Sequence, residues 1–169
     1  MNATRSTKIK NRTIPNDTFY TPTLVAKTHI NSIHTITGDK WLDPFYGKGV
    51  YYDHFPVPEN QRSFTEISLD KDFFEYTKPV DIICSNPPYS IIDRVITKSI
   101  DLNPRIISYL LLEGKLTPRR IKLFNDNGYG LTGMYICKVF NWYGMSVAYT
   151  FTRGCENHAN ITYDRIVHK

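Results

Sequence analysis

The stretch Ser85-Asn86-Pro87-Pro88-Tyr89-Ser90 concentrates groups that could do chemistry, at the end of the apolar run Val80-Asp81-Ile82-Ile83-Cys84. Two successive prolines can neither donate to a ladder nor enter a helix interior, so the chain leaves the strand there in a stiff turn. The Asn86 amide, the backbone carbonyls of Asn86 and Pro87, and the Tyr89 ring then gather at one strand end. Carbonyl acceptors beside an aromatic face suit a planar ring that carries an NH2 group. An ordinary Asn-Pro loop carries the same punctuation, so other stretches must decide between the two.

Three further groups bear on that choice. In Asp43-Pro44-Phe45-Tyr46-Gly47-Lys48-Gly49 a short strand from Trp41 breaks into a turn whose two glycines allow backbone amides to approach a ligand. The third glycine of a dinucleotide fingerprint is missing. Glu66 closes the strand-like run Ser63 to Ile67, where an acid at the end of the second strand commonly accepts from ribose hydroxyls. Asp72 and Phe73 follow, placed to read and sandwich an adenine ring, while Phe74 is expected in the core. Cys84, Cys137 and Cys155 form no Cys-x-x-Cys pair, and Cys155 with His158 gives half of a metal-ligand spacing. No metal, catalytic cysteine or Ser-His-Asp arrangement is expected.

Positioning these groups requires strands that end together. Thr21-Pro22 signals a helix entry, with Thr21 as N-cap, and the helix runs through Leu24, Val25 and Ala26 toward Ile33, with Gly38 ending the region. Ser90 through Ile100 has helical apolar spacing, with Ser90 and Asp93 in a capping-box arrangement. Arg105 to Leu112 reads as a buried strand, and Thr117-Pro118 opens a helix from Arg119 to Phe124. Thr132 to Phe140 and Met145 to Thr152 read as a hairpin joined by Asn141-Trp142-Tyr143-Gly144. No helix is expected between the second and third strands. The order predicts an α/β fold: a three-layer, mostly parallel sheet closed by a C-terminal antiparallel hairpin. Residues 43–49, 66–73 and 85–89 then all lie at carboxyl ends of strands, where such sheets bind ligands.

Composition sets outer bounds. The chain has 169 residues, 41% hydrophobic and 22% charged, which suits one domain with a real core rather than a disordered chain. Without a long apolar run or a signal-like N-terminus, it is expected to be intracellular, with no membrane partner. Residues 1–16 read as a flexible basic arm before a single domain over 17–169. The formal charge of +5 suits a polyanion but also an ordinary solvated surface. Arg119, Arg120 and Lys122, close to Lys115, form a candidate phosphate-binding cluster.

Asp43-Pro44-Phe45-x-Gly47-x-Gly49 followed by Asn86-Pro87-Pro88-Tyr89 resembles the signature of class I S-adenosylmethionine-dependent amino-methyltransferases. The best match is to N6-adenine DNA methyltransferases, including small phage and large-virus forms. Phe19-Tyr20-Thr21-Pro22 is similar to the family's N-terminal cofactor motif and Asp72-Phe73-Phe74 to its third motif. The resemblance implies a Rossmann-like methyltransferase fold, S-adenosyl-L-methionine as cofactor and DNA as partner. It implies that the Gly47 to Gly49 turn and Asp43 surround the methionine half, with Thr21 near its carboxylate, and that Tyr20, Pro44 and Phe45 also bind the cofactor. Glu66 would take the ribose, Asp72 the adenine amino group and Phe73 the ring face. A target base would be flipped out, stacked on Tyr89 and gripped by its NH2 at Asn86 and Pro87, with Pro88 stiffening the turn. Tyr143 or Trp142 would pack beside that base.

Similar motifs occur in enzymes of cytosine N4, RNA guanine N2 and protein glutamine N5, and a silent binding subunit is the remaining alternative. Two departures stand out: Lys48 replaces a small residue, and the helix after the second strand is nearly absent. The chain also has no room for a target-recognition domain, which predicts weak sequence specificity, a homodimer or a recognition partner.

Overall fold

The computed structural model describes residues 20–139 and 144–164. Seven strands form one sheet: β1 (Trp41–Asp43), β2 (Arg62–Phe64), β3 (Ile82–Ser85), β4 (Ile106–Leu112), β5 (Tyr129–Cys137), β6 (Ser146–Arg153) and β7 (Asn160–Asp164). Their order is β2-β1-β3-β4-β6-β5-β7. The first four run parallel, and β6 enters antiparallel between β4 and β5.

Alternation along the strands divides the core between two faces. Leu42, Ile83 and Ile107 point to one side, where α2 (Ile92–Asp101) and α3 (Pro118–Asp126) supply Ile92, Val95, Ile96 and Phe124. Trp41, Ile82, Cys84 and Ile106 point to the other, against Ala26 and Ile30 of α1 (Thr23–Asn31). The period-2 pleat thus gives the three layers expected. Phe124 of α3 stacks on Phe151 of β6 with centroids 3.8 Å apart, fixing the third helix on the sheet.

Several local expectations are corrected. Pro22, not Thr21, is the N-cap of α1, and the helix stops at Asn31 before Ile33. The Thr21 hydroxyl is engaged elsewhere, by Asn86. Ser90 is not the N-cap of α2: Ile91 takes that position without a side-chain cap bond, and the Asp93 carboxylate pairs with Arg120. Thr117 does cap α3, accepting from the Arg120 amide with Pro118 in the first turn. β2 ends at Phe64 rather than Ile67: Thr65 still donates its amide to the Asp43 carbonyl at 3.0 Å and its Oγ1 to the Pro44 carbonyl at 2.7 Å, and the chain then turns at Ile67–Leu69. Between β2 and β3 the chain makes only the single turns Ile67–Leu69 and Phe73–Glu75, so the missing helix is missing here too.

The antiparallel hairpin is present, but β5 begins at Tyr129 rather than Thr132. Its connecting residues Trp142 and Tyr143 lie outside the described residues, as does the arm at 1–16. β7 was not expected. It pairs parallel with β5 at the sheet edge, and all five of its residues are exposed. Among the described residues, no helix is long and apolar enough to cross a membrane.

Candidate active site

The carboxyl ends of β1, β2 and β3 open into a cavity of about 290 Å³. Its wall is formed by the turn after β1, the single turns after β2 and the Asn86-Tyr89 turn after β3, and Tyr20 and Thr21 close it from the α1 side. Three stretches far apart in sequence therefore meet, as parallel strands require of the loops that leave them.

Asp43 lies under this cavity rather than in its lining. It is fully buried, and its Oδ1 accepts from Ser85 Oγ at 2.6 Å and from the Phe45 amide at 3.2 Å. These bonds tie the turn after β1 to the end of β3. Burial raises the carboxyl to about 7, against the opposing pull of the Ser85 hydroxyl and the Phe45 amide. Oδ2 has no hydrogen-bond partner, and the Tyr52 amide also pulls the carboxyl down.

The glycine turn uses both of its unusual conformations. Gly47 has φ +53 and Gly49 φ +80. A Cβ on Gly49 would stand 2.7 Å from the Tyr46 hydroxyl, so that position is closed twice over to larger residues. The amides are less available than the spacing suggests. That of Gly47 donates to Glu66 Oε2 at 2.9 Å, and that of Gly49 closes on the Tyr46 carbonyl at 2.7 Å. Glu66 thus anchors the turn from the neighbouring loop while lining the cavity, and its Oε1 accepts from the Ser68 amide and hydroxyl. Asp72 also lines the cavity and accepts from the Phe74 amide at 2.8 Å.

Aromatic rings supply the walls. Phe73 is 3% exposed and meets Phe45 edge-on at 5.6 Å. Phe74, expected in the core, is half-buried: it packs against the core cluster and also lines the cavity, under Arg94 at 4.3 Å. At the mouth, Lys48 Nζ rests 4.1 Å above the Tyr20 ring and Lys115 Nζ 5.8 Å above the Tyr89 ring. The Asn86 Nδ2 donates to Thr21 Oγ1 at 3.1 Å, which turns the carbonyl end of the same amide away from Thr21. Pro87 and Pro88 complete this wall.

Of the other expected residues, Tyr20, Thr21, Pro44, Phe45 and Gly47 line the cavity, and Gly49 does not. In the basic cluster, Arg119 is exposed. Arg120 instead spans from Asp93 Oδ1, at 2.8 Å, to the Lys115 carbonyl, and Lys122 pairs with Asp126 one turn on. Arg94 and the placement of Lys115 over Tyr89 escaped the sequence reading, since a contact between separate loops leaves no local pattern.

No family profile matches this chain, and no curated protein matches it in sequence. Solved structures do resemble it. A protein assigned as an RNA methyltransferase from Pyrococcus horikoshii has a TM-score of 0.68 at 19% identity, covering 86% of this chain and 92% of its own. A modification subunit assigned to a type I restriction enzyme from Vibrio vulnificus YJ016 has a TM-score of 0.56 at 13% identity, covering 97% of this chain and 51% of its own. The type I restriction enzyme EcoKI M protein has a TM-score of 0.56 at 9% identity, covering 95% of this chain and 51% of its own. The fold is that of the Rossmann-like methyltransferases. At these identities the likeness is one of architecture, and function has to be argued from the cavity.

The donor set of the cavity suits S-adenosylmethionine. Carboxylates at Glu66 and Asp72 match hydroxyl and amino groups, the rings of Phe45, Phe73 and Phe74 match a purine, and Lys48 offers a cation for an amino-acid carboxylate.

Proposed function

We propose that this chain is an S-adenosylmethionine-dependent methyltransferase acting on the exocyclic N6 of adenine in DNA. The observation that carries the reading is the shared cavity: the Asn86-Pro87-Pro88-Tyr89 turn faces the same space as Glu66, Asp72 and the glycine turn. A nitrogen held by the first group therefore lies beside a cofactor held by the second.

The residues divide the work. An exocyclic amine is a weak nucleophile because its lone pair is delocalised into the ring. The Asn86 side-chain carbonyl and the Pro87 carbonyl accept its two hydrogens and favour a pyramidal nitrogen. Thr21 fixes the Asn86 amide by taking its Nδ2 hydrogen. Tyr89 stacks on the base plane, and the two prolines keep the turn from relaxing. When bound, S-adenosylmethionine supplies an electrophilic methyl on a sulfonium and leaves as a thioether. The methylated nitrogen then sheds one proton to solvent. In this scheme Asp43 does no chemistry and holds the turn after β1 against β3 through Ser85.

Methyl transfer from labelled cofactor to adenine-containing duplex DNA, followed by nucleoside analysis, tests the reading. N6-methyladenine is the expected product. Failure to bind S-adenosylmethionine in calorimetry would overturn it. RNA is the second substrate to assay, because one architectural match that covers most of both chains is to a protein assigned as an RNA methyltransferase. Label found in RNA but not in DNA would transfer the assignment to that substrate. Asn86→Ala should lower the rate about 100- to 1000-fold while the cofactor dissociation constant stays within about twofold. Parallel loss of both would make the turn structural.

A further inference from the structure

Three cations stand around the mouth of the cavity, and each rests on an aromatic ring of its lining: Lys48 on Tyr20, Arg94 on Phe74 and Lys115 on Tyr89. The acids of the cavity are inside and tied to backbone amides, Glu66 to Gly47 and Asp72 to Phe74. The cations therefore stand over or beside the rings that a planar ligand would use.

On the β3–β4 side these cations form one built surface. Asp93 and Arg94 stand in the first turn of α2, Lys115 in the loop after β4, and Arg119 and Arg120 in the first turn of α3. Arg120 locks the three together by donating to Asp93 Oδ1 and to the Lys115 carbonyl. Arg120 and Arg119 together hold the Asp93 carboxyl below its ordinary range, which places Arg119 in the same neighbourhood. With Arg120 spent as the strut, Arg94, Lys115 and Arg119 are the remaining cations of this surface; Arg94 and Arg119 are exposed and Lys115 is half-buried.

We propose that Arg94, Lys115 and Arg119 form a phosphate-binding ridge that receives the sugar-phosphate chain on either side of a nucleotide inserted against Tyr89. A cation resting on a half-buried ring such as Tyr89 or Phe74 gains only the modest attraction of the ring quadrupole, whereas a phosphate offers it a full opposite charge. Lys115 thus covers the Tyr89 face in the free protein, yields that face to the incoming base and moves to the adjoining phosphate. The combination of an aromatic platform with cations along one rim is the recognition chemistry of a single nucleic-acid strand. It has no counterpart in a protein glutamine, which carries neither a ring to stack nor flanking anions. The inference rests on the proposed function for the identity of the inserted group, but the ridge is measurable without methyl transfer.

The probe is a fluorescein-labelled single-stranded oligodeoxynucleotide containing one adenine, titrated with the full chain by anisotropy across a range of salt concentrations. Arg94→Met and Lys115→Met should each reduce the slope of log K against log salt by about 0.7, and the double variant by about 1.4. Lys40→Met, an exposed lysine at the amino end of β1, should leave the slope alone. Calorimetry with S-adenosylmethionine should give the same affinity for all of them, which also shows that they fold. An unchanged slope in the double variant, or no oligonucleotide binding by the unsubstituted chain, overturns the ridge. If the cofactor binds in either of those cases, the methyltransferase reading stands. Oligonucleotide binding with the expected slopes but without cofactor binding supports the ridge and sinks the methyltransferase reading instead.

Discussion

Lys48 fixes which way round a cofactor would lie. It projects from between the two glycines, where the turn brings a side chain to the cavity, and its Nζ sits over Tyr20 beside Thr21. Glu66 and Asp72 hold the acidic flank, so an amino-acid carboxylate is drawn to Lys48 and hydroxyl or amino groups to the acids. Lys48→Met should weaken S-adenosylmethionine binding about tenfold, equivalent to about 1.4 kcal/mol. It should leave binding of 5′-methylthioadenosine, which lacks the amino-acid tail, unchanged in the same calorimetric titration. Equal weakening of both would assign the effect to the shape of the turn. The sequence shows Lys48 only as a large residue where a small one is usual, because its partner Tyr20 is brought in by the packing of α1. The adjacent rings make the same point. Phe73 and Phe74 share one short turn that has no apolar period, so nothing local tells which is buried, and in the fold both line the cavity.

Elements with a buried face were legible; those without one were not. β1, β3 and β4 divide alternate residues between the two cores, and their apolar runs mark them in the sequence. β7 has no such mark, since Ile161 is 61% and Tyr163 84% exposed and neither face is packed. Ser90 misled as an N-cap for a different reason: the Asp93 carboxylate has a charged partner in Arg120, which only the folded chain supplies. β7 is held by its parallel ladder with β5, and the turn that leads into it lies on Gly130. A Cβ there would stand 2.3 Å from the Cys155 carbonyl and 2.5 Å from the Glu156 backbone, so the turn would have to move. Gly130→Ala should cost about 1–3 kcal/mol by overpacking. It should also expose residues 154–160 to limited proteolysis before the rest unfolds. Gly128→Ala meets open space and carries only the penalty of φ +81, about 1–2 kcal/mol, without early cleavage. Early cleavage in both variants, or in neither, would break the link between Gly130 and β7.

Across the whole molecule, two buried titratable groups tie the layers together, and they respond to pH in opposite senses. His29 of α1 bonds the Tyr51 hydroxyl at 3.0 Å and Ser108 Oγ of β4 at 2.8 Å, and Ser108 meets Thr150 of β6. The sequence placed α1 on the sheet by its apolar residues, but a histidine in a helix gives no sign that it will end in the core between the Tyr51 and Ser108 hydroxyls. Burial lowers His29 from 6.5 to about 3, so the fold keeps it neutral. Its contribution is fully present above pH 6.5 and is lost as pH falls toward 3, where the unfolded chain binds the proton. Asp43 is raised from 3.8 to about 7, so its contribution is present below 3.8 and is lost as pH rises toward 7. Between about pH 4 and 6.5 the two slopes oppose, each by up to about 1.4 kcal/mol per pH unit. Removing either group should therefore uncover the other. In urea unfolding at pH 4.5 and 6.5, Asp43→Asn should gain stability relative to the unsubstituted chain as pH rises, and His29→Gln should gain relative to it as pH falls. Shifts of the same sign in both variants would show that one of the two groups is not held in the protonation state that its burial dictates.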